Sequence, residues 1–206
     1  HVDCRDYVLV GFKALLVAAG AREKSVLFQG NGLPGVYGAG AFQTLVNRDL
    51  VRPASRVLIV GSGNVGLIAA YHALQAGIEV AAIVDILGKV GGYEVHADKI
   101  RRMGVPILLG TGVVSVEGEG RVERATIAQV DGSFRPILET ARTYAVDTVL
   151  VAAGLSPCDE LHRQASSFGL LSVTAGDAEE IAEASSAMFG GRIAAISLAK
   201  LLGKKV

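Results

Sequence analysis

Between residues 57 and 70 the chain reads Val57-Leu-Ile-Val-Gly61-Ser-Gly63-Asn-Val-Gly66-Leu-Ile-Ala-Ala70. Those residue types, at that spacing, can hold a diphosphate without any basic side chain. Gly61 lets the chain turn sharply after an apolar strand, Gly63 lets backbone approach phosphate oxygens, and Gly66 lets the following helix pack close to its sheet. Ser62, Asn64 and Val65 complete the turn. Unpaired N–H groups and the positive end of the helix dipole then stabilise the negative charge. Asp85 stands about 20 residues further on, where a carboxylate accepts hydrogen bonds from ribose hydroxyls. Its charge repels a 2′-phosphate, so the constellation reads as a site for NAD(H) over NADP(H). The plainer reading of Asp85, a residue that ends a strand in solvent, stays open beside it.

A turn of this kind works only between a buried strand and a helix, and the flanking sequence predicts both. A helix over 64–76 stops at Gly77, a left-handed cap, and Ile78–Val84 forms the next strand. A glycine-containing loop through Gly91-Gly92, a helix over 94–103 capped by Gly104 and a strand over 105–109 extend the β-α-β-α-β series. Short alternating strands follow at 113–117, 122–130 and 133–138, with Asp131-Gly132 as a hairpin signal. This meander returns the chain to the parallel sheet, whose last strand is the apolar run 147–154.

Upstream, the sequence predicts a strand pair at Tyr7–Val10 and Ala14–Ala18, a glycine-rich connecting loop over Ser25–Gly40, and a helix over 39–47. Downstream it predicts a strand at 173–176 and a long helix over 179–202, kinked at Gly190-Gly191. Asp177, Glu179 and Glu180 fall at that helix's start, where carboxylates suit the dipole. One phrase occurs twice, as Leu16-Val-Ala-Ala-Gly20 and Leu150-Val-Ala-Ala-Gly154. Each copy puts small residues at the carboxyl end of a strand, where open α/β sheets bind ligands.

Composition excludes several classes. Twenty basic and twenty acidic residues among 206 leave no net charge and no basic run, so nucleic acid is not an expected partner. The uncharged stretch 57–78 is long enough to span a bilayer, but its glycines and Asn64, His72 and Gln75 suit a buried strand and helix instead, so no membrane association is expected. Cys4 and Cys158 are isolated, which gives no disulfide scaffold and no C-x-x-C redox pair and suits a cytoplasmic protein. His72, His96 and His162 lack metal-ligand spacing, so no metal is expected. Arg101 and Arg102 could reach a nucleotide phosphate, or could simply end a helix in solvent. No side chain is assigned a catalytic role.

Three signatures stand in order: Leu16-Val-Ala-Ala-Gly-Ala-Arg-Glu23, Gly61-Ser-Gly-Asn-Val-Gly66, and Thr174-Ala-Gly-Asp177 before a helix. In that order the chain resembles the FAD- and NAD(P)H-dependent pyridine nucleotide oxidoreductases. Leu33-Pro-Gly-Val-Tyr-Gly-Ala-Gly-Ala-Phe-Gln-Thr44 is most similar to the flavoprotein subunits of amine and amino-acid dehydrogenases and oxidases, a group that takes in opine oxidase, dye-linked proline dehydrogenase, hydrogen cyanide synthase and sarcosine oxidase. The resemblance implies an α/β fold in which a Rossmann-like NAD(P) domain, with its β-meander crossover, is inserted into an FAD domain. Residues 35–157 would form the NAD(P) domain, with residues 1–34 and 158–206 as partial FAD-domain segments. It further implies that Gly20, Gly176 and Asp177 approach the FAD, and that Gly154 lies beside the NAD.

The family's first strand–glycine loop–helix unit would precede His1, so the chain reads as part of a larger flavoenzyme. The stretch 157–173 is shorter than the family pattern. A second dehydrogenase or oxidase subunit, or another copy of the chain, is the implied partner. Two functions remain open: hydride transfer between NAD(H) and FAD, and a non-catalytic nucleotide-binding or scaffolding subunit.

Overall fold

A computed structural model describes residues 7–206. Its first regular elements are two short strands, β1 (Leu15–Val17) and β2 (Ala21–Glu23). Tyr7–Val10 is not a strand, and β1 pairs instead in parallel with residues 172–174, Leu15 opposite Ser172. A run of β-forming residues becomes a strand only where a ladder partner exists, and the partner here comes from the far end of the chain. The chain then divides into two units, Glu23–Gly154 and a smaller one that ends at Arg22 and resumes at Leu155–Val206.

The larger unit is built on a parallel sheet. Its strands are β3 (Val36–Gly38), β4 (Arg56–Val60), β5 (Glu79–Asp85), β6 (Ile107–Leu109) and, later, β10 (Thr148–Val151), in the spatial order β3-β10-β4-β5-β6. Strand β3 lies inside the stretch expected to be a loop. Its residues read as a turn because glycines flank them, yet Val36–Gly38 pairs with Val149–Val151 at the sheet edge. Residues 23–34, expected to belong with the amino-terminal segment, also pack in this unit. The Val116 N–H donates to Gln29 O at 2.8 Å, and the Gly40 N–H donates to the Glu23 carboxylate at 2.7 Å.

Alternation along β4 explains the layering. Val57 and Ile59 face a core shared with Phe42, Leu67 and Ile100, which come from the helices α1 (Ala39–Gln43), α2 (Asn64–Gln75) and α3 (Glu94–Arg102). Leu58 and Val60 face a second core with Val116, Ala125 and Ile127. Those residues belong to the antiparallel meander β7 (Thr111–Glu117), β8 (Arg124–Gln129) and β9 (Arg142–Ala145). The sheet is therefore covered on both faces, which is why its strands are continuously apolar.

The third meander strand is β9, not the expected 133–138. The Asp131 carboxylate accepts the N–H groups of Ser133 and Arg135 at 2.8 and 2.9 Å, which closes 131–135 into a turn. Pro136 has no N–H with which to extend a ladder, so the pairing there is a single bridge to Val130.

In the smaller unit, β11 (Leu155–Pro157) pairs with β2, and α4 (Glu160–Ser167) leads to β12 (Ser172–Thr174) and α5 (Ala184–Leu201). Helix α4 occupies the stretch that looked short in sequence. Asp159 with Arg163 four residues on, Leu161 with Ala165, and left-handed Gly169 were the signals for it. Helix α5 is helical through Gly190-Gly191 and starts later than expected, with no acidic residue in its first turn. A 3₁₀ turn, Gly176–Ala178, stands before it, because the N–H groups of Glu179 and Glu180 both donate to Gly176 O. The three carboxylates therefore precede the helix rather than stand in its first turn. Among the described residues no helix is long and apolar enough to cross a membrane.

Candidate functional site

The three glycines sit where the strand order reverses. From β4 the chain moves outward through β5 to β6, then returns to β10 on the other side of β4, so the carboxyl ends of β4 and β10 form the switch point at which open α/β sheets bind ligands. Gly61 has φ +112°, and a Cβ there would lie 2.3 Å from Ala152 O, just past the end of the neighbouring strand β10. Only glycine makes this turn. At Gly66 a Cβ would lie 2.1 Å from Gly61 O, so the first turn of α2 rests directly on the loop.

Gly63 is different, since a Cβ there would have nothing within 4 Å. It is the N-cap of α2, no side chain caps that end, and among the described residues no acceptor meets the N–H groups of Asn64, Val65 or Gly66. These donors, with the helix dipole behind them, form an anion-binding end in an open direction.

Asp85 ends β5 beside this turn. Its Oδ2 accepts the Ser62 N–H at 2.7 Å and the Ser62 hydroxyl at 2.6 Å, and its Oδ1 accepts the Leu87 N–H at 2.9 Å. Ser62 is fully buried. Its Oγ in turn accepts the Gly91 N–H, and its carbonyl accepts the Gly92 N–H at 2.9 Å. The Tyr93 N–H donates to Asn64 Oδ1 at 2.8 Å. The loop after β5 is thus fastened to the glycine turn at three successive residues. Sequence reasoning missed this clasp, although the Gly91-Gly92 pair was its signal: a Cβ on Gly92 would lie 2.8 Å from Asn64 N.

Replacing Ser62 by alanine removes a donor from Asp85 and an acceptor from Gly91 inside a buried site. The expected cost is about 1–3 kcal/mol, read as a lower urea midpoint at unchanged slope.

Gly154 lies two residues beyond Ala152, at φ +103°, with its carbonyl accepting the Lys24 N–H at 2.9 Å. Gly61, Ser62, Gly63, Asn64, Val65, Gly66, Asp85 and Gly154 thus all stand at the carboxyl edge of one sheet. In the smaller unit, Gly20, Gly176 and Asp177 line a single cavity of about 480 Å³ together with Ala18, Ala187 and Gly191. Gly20 and Gly176 are left-handed, at φ +72° and +62°.

Other candidates are committed elsewhere. Arg101 donates to Glu94 at 2.6 Å and to Asp98 at 2.9 Å, and these partners, Glu94 foremost, hold its pKa above the usual guanidinium value. His72 bonds Asn47, and His162 bonds the Ser172 hydroxyl at 2.9 Å. Among the described residues no cluster of His, Cys, Asp and Glu could hold a metal ion, and Cys158 is a free thiol. Cys4 lies outside the described residues.

The chain and its fold have counterparts among known proteins. Residues 2–170 match the family described as pyridine nucleotide-disulphide oxidoreductase. Hydrogen cyanide synthase subunit HcnB of Pseudomonas aeruginosa is 31% identical over 92% of this chain and 48% of its own length. The ferredoxin–NAD(+) reductase subunit of the benzene 1,2-dioxygenase system of Pseudomonas putida is 29% identical over 80% of this chain and 39% of its own. The chain thus spans about half, or less, of the curated relatives it matches. A crystal structure of T. acidophilum thioredoxin reductase superposes with a TM-score of 0.73 at 19% identity, covering 91% of this chain and 65% of that one. With the switch-point glycine turn, the double-faced parallel sheet and these matches together, the chain belongs to the pyridine nucleotide-disulphide oxidoreductase family.

Proposed function

We propose that the larger unit binds NAD(H) on the Gly61–Gly66 turn and that the smaller unit contributes to an FAD site, as part of a flavoenzyme of the amine or amino-acid dehydrogenase type. The observation that carries this reading is the open face at Gly63, where α2 presents N–H groups without acceptors at the sheet's switch point. Gly63, Asn64 and Val65 would hold the diphosphate. Asp85 has Oδ2 occupied by Ser62, but Oδ1 carries one donor only and retains a lone pair for a ribose hydroxyl. A carboxylate in that place favours NAD(H) over NADP(H), since it repels a 2′-phosphate.

For the smaller unit, the cavity beside Gly20, Gly176 and Asp177 supports a flavin nucleotide site. Its cavity is walled by alanine and glycine, and Asp177 is its one charged side chain. When both cofactors are bound, a hydride passes between the nicotinamide and the flavin, and the protein's share is orientation more than acid–base work. Cys4 and Cys158 stand far apart in sequence, so these residues supply no adjacent dithiol pair of their own. The subunit names of HcnB and of the benzene dioxygenase reductase support a role within a larger assembly.

Anaerobic titration of the purified full-length protein tests the reading. NADH is expected to bleach the flavin absorbance near stoichiometric addition, with NADPH far less effective. A flavin that stays oxidised under excess NADH overturns hydride transfer. A colourless protein that still binds NADH would make the chain a nucleotide-binding subunit instead.

A further inference from the structure

Resting on that nucleotide site, the geometry points to Tyr93 as the residue that receives the adenine ring, which makes the ligand an adenine nucleotide held at both its diphosphate and its base. Tyr93 is the N-cap of α3, a position where Ser, Thr, Asp or Asn would serve folding, and its side chain makes no cap hydrogen bond. Tyr93 is 65% exposed. The one ring beside it is His96, tilted by 44° with centroids 6.2 Å apart. Neither capping nor burial accounts for a large aromatic residue here.

Its position, by contrast, is tightly determined. The Tyr93 N–H is held by Asn64 Oδ1, on the first residue of α2. Gly91 and Gly92, immediately before it, are bonded to Ser62. Absence of a side chain at Gly92 is what lets this backbone come so close, because a Cβ there would lie 2.9 Å from Gly63 C. The loop therefore places the backbone of an exposed aromatic residue next to the donors that would hold the diphosphate, on the Asp85 side, where the adenosine half of a dinucleotide lies. Aromatic rings stack on nucleobases through their faces, and one such contact changes affinity by about ten-fold or more. His96 supplies a second ring on the same helical turn.

Isothermal titration of the full-length protein with ADP-ribose, and with inorganic pyrophosphate as a probe that lacks the base, tests the assignment. Tyr93→Ala is expected to raise the Kd for ADP-ribose by about ten-fold while leaving pyrophosphate affinity and the urea midpoint unchanged. Tyr93→Phe, which keeps the ring, is expected to bind ADP-ribose like the parent. If the parent binds ADP-ribose and Tyr93→Ala binds it equally well, the adenine assignment fails and the nucleotide site stands. If Tyr93→Ala weakens both probes alike, the ring acts on the loop rather than on adenine, and the assignment also fails. If the parent binds neither probe, the nucleotide site itself is wrong, and the assignment falls with it.

Discussion

Gly63→Val is expected to leave the protein folded while removing its affinity for NADH. The backbone at Gly63 has φ −67° and ψ 172°, which valine adopts without strain, and a Cβ there meets nothing within 4 Å. The folding cost is that of a poor N-cap, about 1 kcal/mol. The branched side chain would, however, fill the open space in front of the Asn64 and Val65 N–H groups, where a diphosphate has to make contact. Affinity should fall roughly 100-fold or more, or about 2.7 kcal/mol of binding free energy. Titration calorimetry with NADH reads the loss, and circular dichroism checks the fold. An unchanged Kd would mean that the diphosphate does not use this turn.

The neighbouring glycines should respond the other way. Gly66→Ala places a methyl group 2.1 Å from Gly61 O, and Gly61→Ala adds a left-handed backbone to a 2.3 Å clash with Ala152 O. Backbone is the obstacle in both cases, so no rotamer change relieves it, and the end of β4 must separate from α2 or from β10. We expect each variant to lose about 2–5 kcal/mol of stability. Urea denaturation would show both midpoints well below that of Gly63→Val. Equal midpoints for all three variants would mean that the glycines share one role rather than dividing into packing and access.

The close packing at Gly61 and Gly66 was legible in their spacing, because it follows from their offsets along a strand–turn–helix unit. The strands with long apolar runs and the helices with a glycine just beyond the last turn were legible too. Val57–Val60, Asn64–Gln75 and Glu79–Asp85 are local structures whose period, caps and composition agree. Pairing was harder. Leu15–Val17 was legible as a strand, but not its pairing with Ser172–Thr174, and Val36–Gly38, which read as loop, is a strand because Val149–Val151 lies beside it. Local sequence carries no record of a ladder partner more than a hundred residues away.

The site shows the same boundary. Residue types alone determined that a tight glycine turn follows β4 and that a carboxylate follows β5, because glycine's missing side chain and the charge of aspartate are properties of single residues. Tertiary structure decided what Asp85 does with its two oxygens. It gave one to Ser62, which holds the Gly91–Tyr93 loop to the turn, and gave the other to the Leu87 N–H. A carboxylate has more acceptor sites than one partner fills, and only the packing of β5 against β4 sets which donors arrive.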